Sequence, residues 1–297
     1  LSLKANTVFL VNTIRTVLAE KLLQLIFCQA KQHKGRRSML INTVILFLQN
    51  ALPIFVITTL LIIVFSAKEL ILIRAKWRIL GVVLTIVSVF VLSENLEKIS
   101  QFYDGMGMEL FLSLSYLFIY IFSIFIFVFD GKHYAKQLAF LVFYIISCIN
   151  GAHFIIYLTN YWSQAQQVDS MLIGIILGGG ICLSISILLF FILKSAERNF
   201  YFQTSRYFLL LFSVGQLMHA IALLQQVDVL ASSQALWDSS CFITEDSEVG
   251  QLLTVLFGYE STPSLLQIII YIIAFSTPVM ISKLITIRLY TRGEKSC

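Results

Sequence analysis

Charge is scarce in this chain. Only 12% of its 297 residues are Asp, Glu, Lys or Arg, against about 25% in a soluble domain. With 58% apolar residues, a water-soluble fold of this size would lack the polar groups to cover its surface. Proline is scarce as well: three residues, set against 25 Phe, a composition unlike that of a disordered chain. The five cysteines (Cys28, Cys148, Cys182, Cys241 and Cys297) are odd in number and show no C-x-x-C spacing. That pattern argues against both a disulfide framework and a zinc site. What fills the chain instead is long apolar runs, with a mean hydropathy of +0.88.

Seven apolar windows stand out, at about 39–67, 79–93, 108–129, 137–160, 171–193, 205–227 and 263–282, charged only at Glu109 and Arg206 near the ends of the third and sixth. A run of ~20 apolar residues in helical form crosses ~30 Å of hydrocarbon. The expectation is an all-α polytopic membrane protein with seven transmembrane helices. The second window is short and must borrow from its flanks. The fifth contains Gly174 and Gly178 to Gly180, where a neighbouring helix can approach closely. Pro263 suits the first turn of the seventh.

Lys and Arg set the expected orientation. The loops after windows one, three, five and seven hold thirteen of them, from Lys68 to Lys295, whereas the loops on the opposite side hold only Lys98. The positive-inside rule then places the start of the first window outside and the C-terminus in the cytoplasm, in a plasma or inner membrane. Residues 39–287 form the expected membrane domain and 288–297 a cytoplasmic tail. Residues 1–38 do not fit a further crossing: Asn12, Arg15, Glu20 and Lys21 interrupt the apolar run, and Lys31, Lys34, Arg36 and Arg37 follow it. They read as an amphipathic or interfacial segment. Acidic residues, among them Glu94, Glu97, Asp104, Glu109, Glu245 and Glu260, gather on the outer side, where such a field attracts cations.

Two pentads occupy similar depths in oppositely directed windows: Gln49-Asn50-Ala51-Leu52-Pro53 in the first and Ile149-Asn150-Gly151-Ala152-His153 in the fourth. Three helices followed by three of opposite orientation, plus a seventh, is the inverted-repeat plan of many transporters, with the site at mid-membrane. The segment Phe257-Gly258-Tyr259-Glu260-Ser261-Thr262-Pro263-Ser264 resembles the one that precedes the last helix of the high-affinity iron permease family, the oxidase-linked iron transporters. The stretch from Met171 through Gly174, Gly178, Phe202, Ser205, Phe208 and Gly215 to Ile221 is similar to that family's fifth and sixth helices, and the loop Val227 to Val255 to its outer loop. The resemblance covers roughly residues 39–287. It implies seven helices, iron as substrate moved inward, and an extracytoplasmic oxidase or metal-carrier protein as partner, within a membrane complex. In that family the first and fourth helices each carry Arg-Glu-Gly-Leu-Glu. Here the two pentads stand in those places, and all four Glu and both Arg are absent.

The candidate transport residues are Gln49, Asn50, Asn150, His153, Glu109 and His219, with His153, Asn50 and Asn150 as metal ligands. Ferric iron wants hard oxygen ligands, whereas ferrous iron and its neighbours also accept imidazole. Even one uncompensated charge at mid-membrane costs ~3 kcal/mol or more, so a carboxylate-free site suits a partly hydrated divalent ion, or a neutral or weakly charged solute. Glu109, at the outer end of the third helix, is the nearest carboxylate. Each of these side chains also reads as interhelical glue when taken alone. No bound cofactor, catalytic role or nucleic-acid partner is expected; lipid is. A receptor reading fails on the missing Asp-Arg-Tyr and Asn-Pro-x-x-Tyr signatures. The remaining alternative is a transport-inactive permease-like subunit acting as partner or scaffold.

Overall fold

The computed structural model describes residues 34–65, 75–129, 133–162, 168–200, 203–231, 235–245 and 247–294. It is all-helical: α1 (Lys34–Val64), α2 (Ala75–Ser100), α3 (Gly107–Val128), α4 (His133–Trp162), α5 (Val168–Phe200), α6 (Thr204–Gln226), α7 (Glu248–Phe257) and α8 (Leu265–Glu294). All but α7 are long and apolar enough to cross a membrane, over Thr43–Val64, Leu80–Ser100, Gly107–Val128, Tyr134–Thr159, Leu172–Asn199, Thr204–Gln226 and Leu265–Ile285. This is an integral membrane fold.

The boundaries depart from the expected windows where charge misled the reading. α2 continues through Glu94, Glu97 and Lys98 to Ser100, because a helix end at headgroup depth tolerates charge that the hydrocarbon does not. Residues 34–38, expected in the N-terminal segment, open α1; the rest of that segment, like Lys68, Arg74, Lys132 and Lys295 of the orientation argument, lies outside the described residues. Residues 288–294 of the expected tail continue α8. Within the segment between α6 and α8 a ten-residue helix, α7, has formed.

Several hydroxyls inside the apolar helices are satisfied locally, although Ser123, Ser147 and Ser186 are buried without a partner. Thr58, Thr59, Thr85 and Ser115 each donate to the carbonyl four residues earlier, at 2.6–2.9 Å. Lipid offers no such partner.

α1 packs against α4, α5, α6 and α7, and the innermost layer is made by Leu52, Val56, Ile57 and Leu60 with Ile146 and Ile149 of α4 and Leu209 and Phe212 of α6. α2 and α8 lie at the periphery, where Leu80, Val83, Phe90, Ile272 and Met280 face outward. Gly178 lets α5 close on α1: a Cβ there would sit 2.8 Å from the Phe47 Cβ. Among α1 to α6, exchanging the first three helices for the second three leaves the set of packed pairs unchanged. α1–α5 maps onto α2–α4, α3–α4 onto α1–α6, and α2–α3 onto α5–α6.

Candidate functional site: a polar cavity between α1 and α4

Contacts between α1 and α4 run in opposite senses. Thr43 Oγ1 lies 3.0 Å from the Tyr157 hydroxyl, and one turn further along, the rings of Phe47 and Phe154 are 5.2 Å apart. Continuing that antiparallel register brings Asn50 level with Asn150. Both line one cavity of about 390 Å³, together with Gln49 and Pro53 of α1 and His153 of α4. Asn50 is seven residues below the Thr43 end of its span, or about 10 Å at 1.5 Å per residue. The cavity is therefore inside the apolar slab.

The two asparagines are held alike. Asn50 Nδ2 donates to the Leu46 carbonyl at 2.8 Å, and Asn150 Nδ2 to the Ile146 carbonyl at 2.9 Å. A carbonyl partner must face the amide nitrogen, so both Oδ1 atoms are the free ends. A hundred residues separate these two bonds, and the same interval relates a second pair: Ser113 donates to Leu110 at 2.9 Å and Ser213 to Leu210 at 2.7 Å. One turn on, Tyr116 of α3 and Gln216 of α6, again a hundred apart, both line the cavity. Pro53 has no N–H, so the Gln49 carbonyl loses its i+4 donor. His153 stands at the corresponding place in α4.

α6 and α7 complete the enclosure. His219 reaches the Thr254 backbone of α7, and its ring lies 6.0 Å from that of Tyr116. Gln251 of α7 is buried, 7% exposed, and its Oε1 has no hydrogen-bond partner. An orphan acceptor of this kind costs about 1–3 kcal/mol when nothing fills its place. α7 is set by its ends: Ser247 caps it by accepting from Gly250 N at 3.0 Å, and Gly258 closes it with φ 68°.

Of the candidates read from sequence, Gln49, Asn50, Asn150, His153 and His219 meet in this cavity. Glu109 does not line it. Its Oε2 is buried without a partner, on the Ser113–Tyr116 face of α3 and seven residues from Tyr116, or about 10 Å. The carboxylate that does reach the cavity is Glu245, in the segment before α7. Sequence counted it only among the outer acids, because nothing in a polar loop signals that α7 will fold it over the helices. The Glu245 carboxylate accepts from Ser261 N and Ser261 Oγ, each at 2.6 Å. Among the described residues no group of three or more His, Cys, Asp or Glu could hold a metal; the cavity is lined by amide, imidazole and hydroxyl groups with the single Glu245 carboxylate.

Beside Glu245, Glu260 accepts from Gln267 Nε2 at 2.5 Å. Burial, and then the Glu245 charge, pushes its carboxyl above the usual range, with the Gln267 bond acting in the opposite direction. The folded segment therefore binds the proton more tightly than the unfolded one. Its stability is full below the ordinary carboxylate range and falls as pH rises through the raised value. Proteolytic cutting between Val227 and Ser264 is expected to accelerate as pH rises through that interval in the wild type, and to lose this dependence in Glu260→Gln.

No protein-family model, curated protein or solved structure matches the chain.

Proposed function

We propose that this protein is a permease-type transporter that binds a metal cation, iron first among candidates, between α1 and α4 and carries it inward across the membrane. The observation that carries this reading is the convergence of free acceptors. Asn50 Oδ1, Asn150 Oδ1, the Gln49 carbonyl and the unpartnered Gln251 Oε1 surround one cavity with His153 and His219. The same lining also carries donors, the side-chain amides of Gln49 and Gln216 and the Tyr116 hydroxyl, so the cation reading rests on the acceptors and on the motif resemblance together. The donor set favours a divalent ion of borderline softness, iron(II) over iron(III), entering from the side where Glu245 stands. Matched hydrogen bonds at a hundred-residue interval, and a packing pattern unchanged by exchange of halves, support two inverted repeats about this site. The motif resemblance supports iron as cargo, with an oxidase or metal carrier delivering it outside; the cytoplasmic C-terminus rests on the distribution of Lys and Arg.

One observation favours a second reading, a transport-inactive subunit of a membrane complex. Among the described residues a single carboxylate, Glu245, lines the cavity, with one oxygen held by Ser261, so a multivalent ion there would be only partly compensated. Uptake of radioactive iron into proteoliposomes separates the two. Iron(II) uptake under reducing conditions is expected in the wild type, reduced about tenfold in Asn150→Leu, since loss of one buried ligand is worth roughly 1.4 kcal/mol or more. Absence of uptake of either iron(II) or iron(III) by the wild type would establish the scaffold reading.

A further inference from the structure

α2 is held mainly by α4 and diverges from α3, and the gap forms a furrow on the outside of the bundle. Its upper part, about 470 Å³, lies beside Lys98 and Leu110; its lower part, about 530 Å³, reaches Val87 and Cys148. Asn95, Ile99 and Phe111 line both, so the two are one continuous groove. From Lys98 to Val87 it follows α2 for eleven residues, or about 16 Å. Its floor asks for no hydrogen bond. Ser88 and Tyr144 satisfy each other at 2.6 Å, Ser115 donates to Phe111 at 2.8 Å, and Asn95 Nδ2 donates to Val91 at 2.8 Å. A dry apolar channel of that length, inside the membrane slab, matches a hydrocarbon chain and not a row of waters.

The upper end is charged in a selective way. Lys98 is the only Lys or Arg between Leu80 and Val128, and it is exposed, with Nζ 3.4 Å from Asn95 Oδ1. Three exposed carboxylates lie near it in sequence: Glu94 one turn earlier on α2, Glu97 next to it, and Asp104 in the α2–α3 turn. The same turn exposes Phe102 and Tyr103, at 72% and 73%, the kind of side chain that settles at headgroup depth. One ammonium can pair with a phosphate. Three carboxylates would repel a lipid carrying net negative charge and attract a lipid amine. We propose that this furrow is a binding site for a zwitterionic aminophospholipid of the phosphatidylethanolamine type. The phosphate sits on Lys98, the ammonium on the Glu94–Glu97–Asp104 group, and one acyl chain lies along α2. This site is independent of the central cavity and of whatever that cavity carries.

Native mass spectrometry of delipidated protein, with phosphatidylethanolamine or phosphatidylglycerol added in turn, tests the proposal directly. Retention of the ethanolamine lipid is expected to exceed that of the glycerol lipid about threefold in the wild type, the factor expected of a partly exposed charge pair. Lys98→Glu should lower retention of both lipids and Lys98→Arg should leave both unchanged, whereas Glu94→Gln with Glu97→Gln should reduce the preference for the ethanolamine lipid. Ser115→Trp should block the tail channel and lower retention of both lipids while leaving the headgroup untouched. Equal retention of the two lipids by the wild type, which requires no variant to fold, would overturn the proposal. So would unchanged retention in both Lys98→Glu and Ser115→Trp.

Discussion

A Gly215→Val protein is expected to lose on the order of 3 kcal/mol of stability, the upper end of what overpacking costs. The cause lies in backbone atoms. A Cβ on Gly215 would stand 2.8 Å from Gly258 N and 3.1 Å from the Phe257 carbonyl carbon, and no rotamer change can relieve a clash with main chain. Gly258 cannot yield in return. It sits at φ 68°, a conformation that suits glycine, and its own Cβ would come 2.7 Å from Gly215 Cα. α7 must therefore lift off α6, uncovering Gln251, Val255 and Leu256, which are buried against the bundle. Gly180→Ala provides the contrast: nothing lies within 4 Å of the added methyl, and in a helix interior alanine gains about 1 kcal/mol over glycine. Thermal unfolding followed by size-exclusion fluorescence should show a large fall for the first variant and no fall for the second. Wild-type stability in Gly215→Val would mean that α7 is not seated on α6.

Replacing both asparagines by aspartate is expected to turn a weak cation site into a strong one. Asn50→Asp with Asn150→Asp keeps size and shape but places two negative charges where two amides now turn an oxygen toward the cavity. A pair of opposite charges ~4 Å apart is worth about 4 kcal/mol at an effective dielectric constant of 20. Even after heavy discount for hydration of the ion, divalent-metal affinity should rise at least about a hundredfold. Without metal the double variant should be less stable than the wild type. Each aspartate loses the amide hydrogen that now binds the carbonyl four residues earlier, and two like charges are forced together. Metal should then restore stability with a concentration dependence that follows occupancy, by about 2.7 kcal/mol at a hundred times the dissociation constant. The single variants should each show a smaller effect. If the double variant gained no metal-dependent stability, the two side chains would not share an ion.

The long helices were legible because an apolar run of that length has no other home than lipid. α2 shows the limit of that logic: Glu94 and Lys98 end the apolar window but not the helix. α7 was not legible. Its inward positions, Gly250, Gln251, Val255 and Leu256, make too short a pattern to stand out of a polar loop. Glu245 was missed for the same reason, since its place at the cavity depends on α7 closing over α6. Asn50 and Asn150 stood out because the two pentads carry the same residue at similar depth, and both line the cavity. The interval of a hundred residues also links Ser113 to Ser213 and Tyr116 to Gln216, a signal present in the sequence that apolar windows alone do not reveal. Glu109 misled because position along a helix says nothing of which cavity a side chain enters.

Equilibrium binding of iron(II) to the purified protein, under anaerobic conditions, tests most directly whether the matched asparagines form an ion site. The account predicts one saturable ion per chain in the wild type, weakened about tenfold in either Asn50→Leu or Asn150→Leu, as loss of one buried ligand implies. Binding that is absent from the wild type, or indifferent to both substitutions, would contradict it.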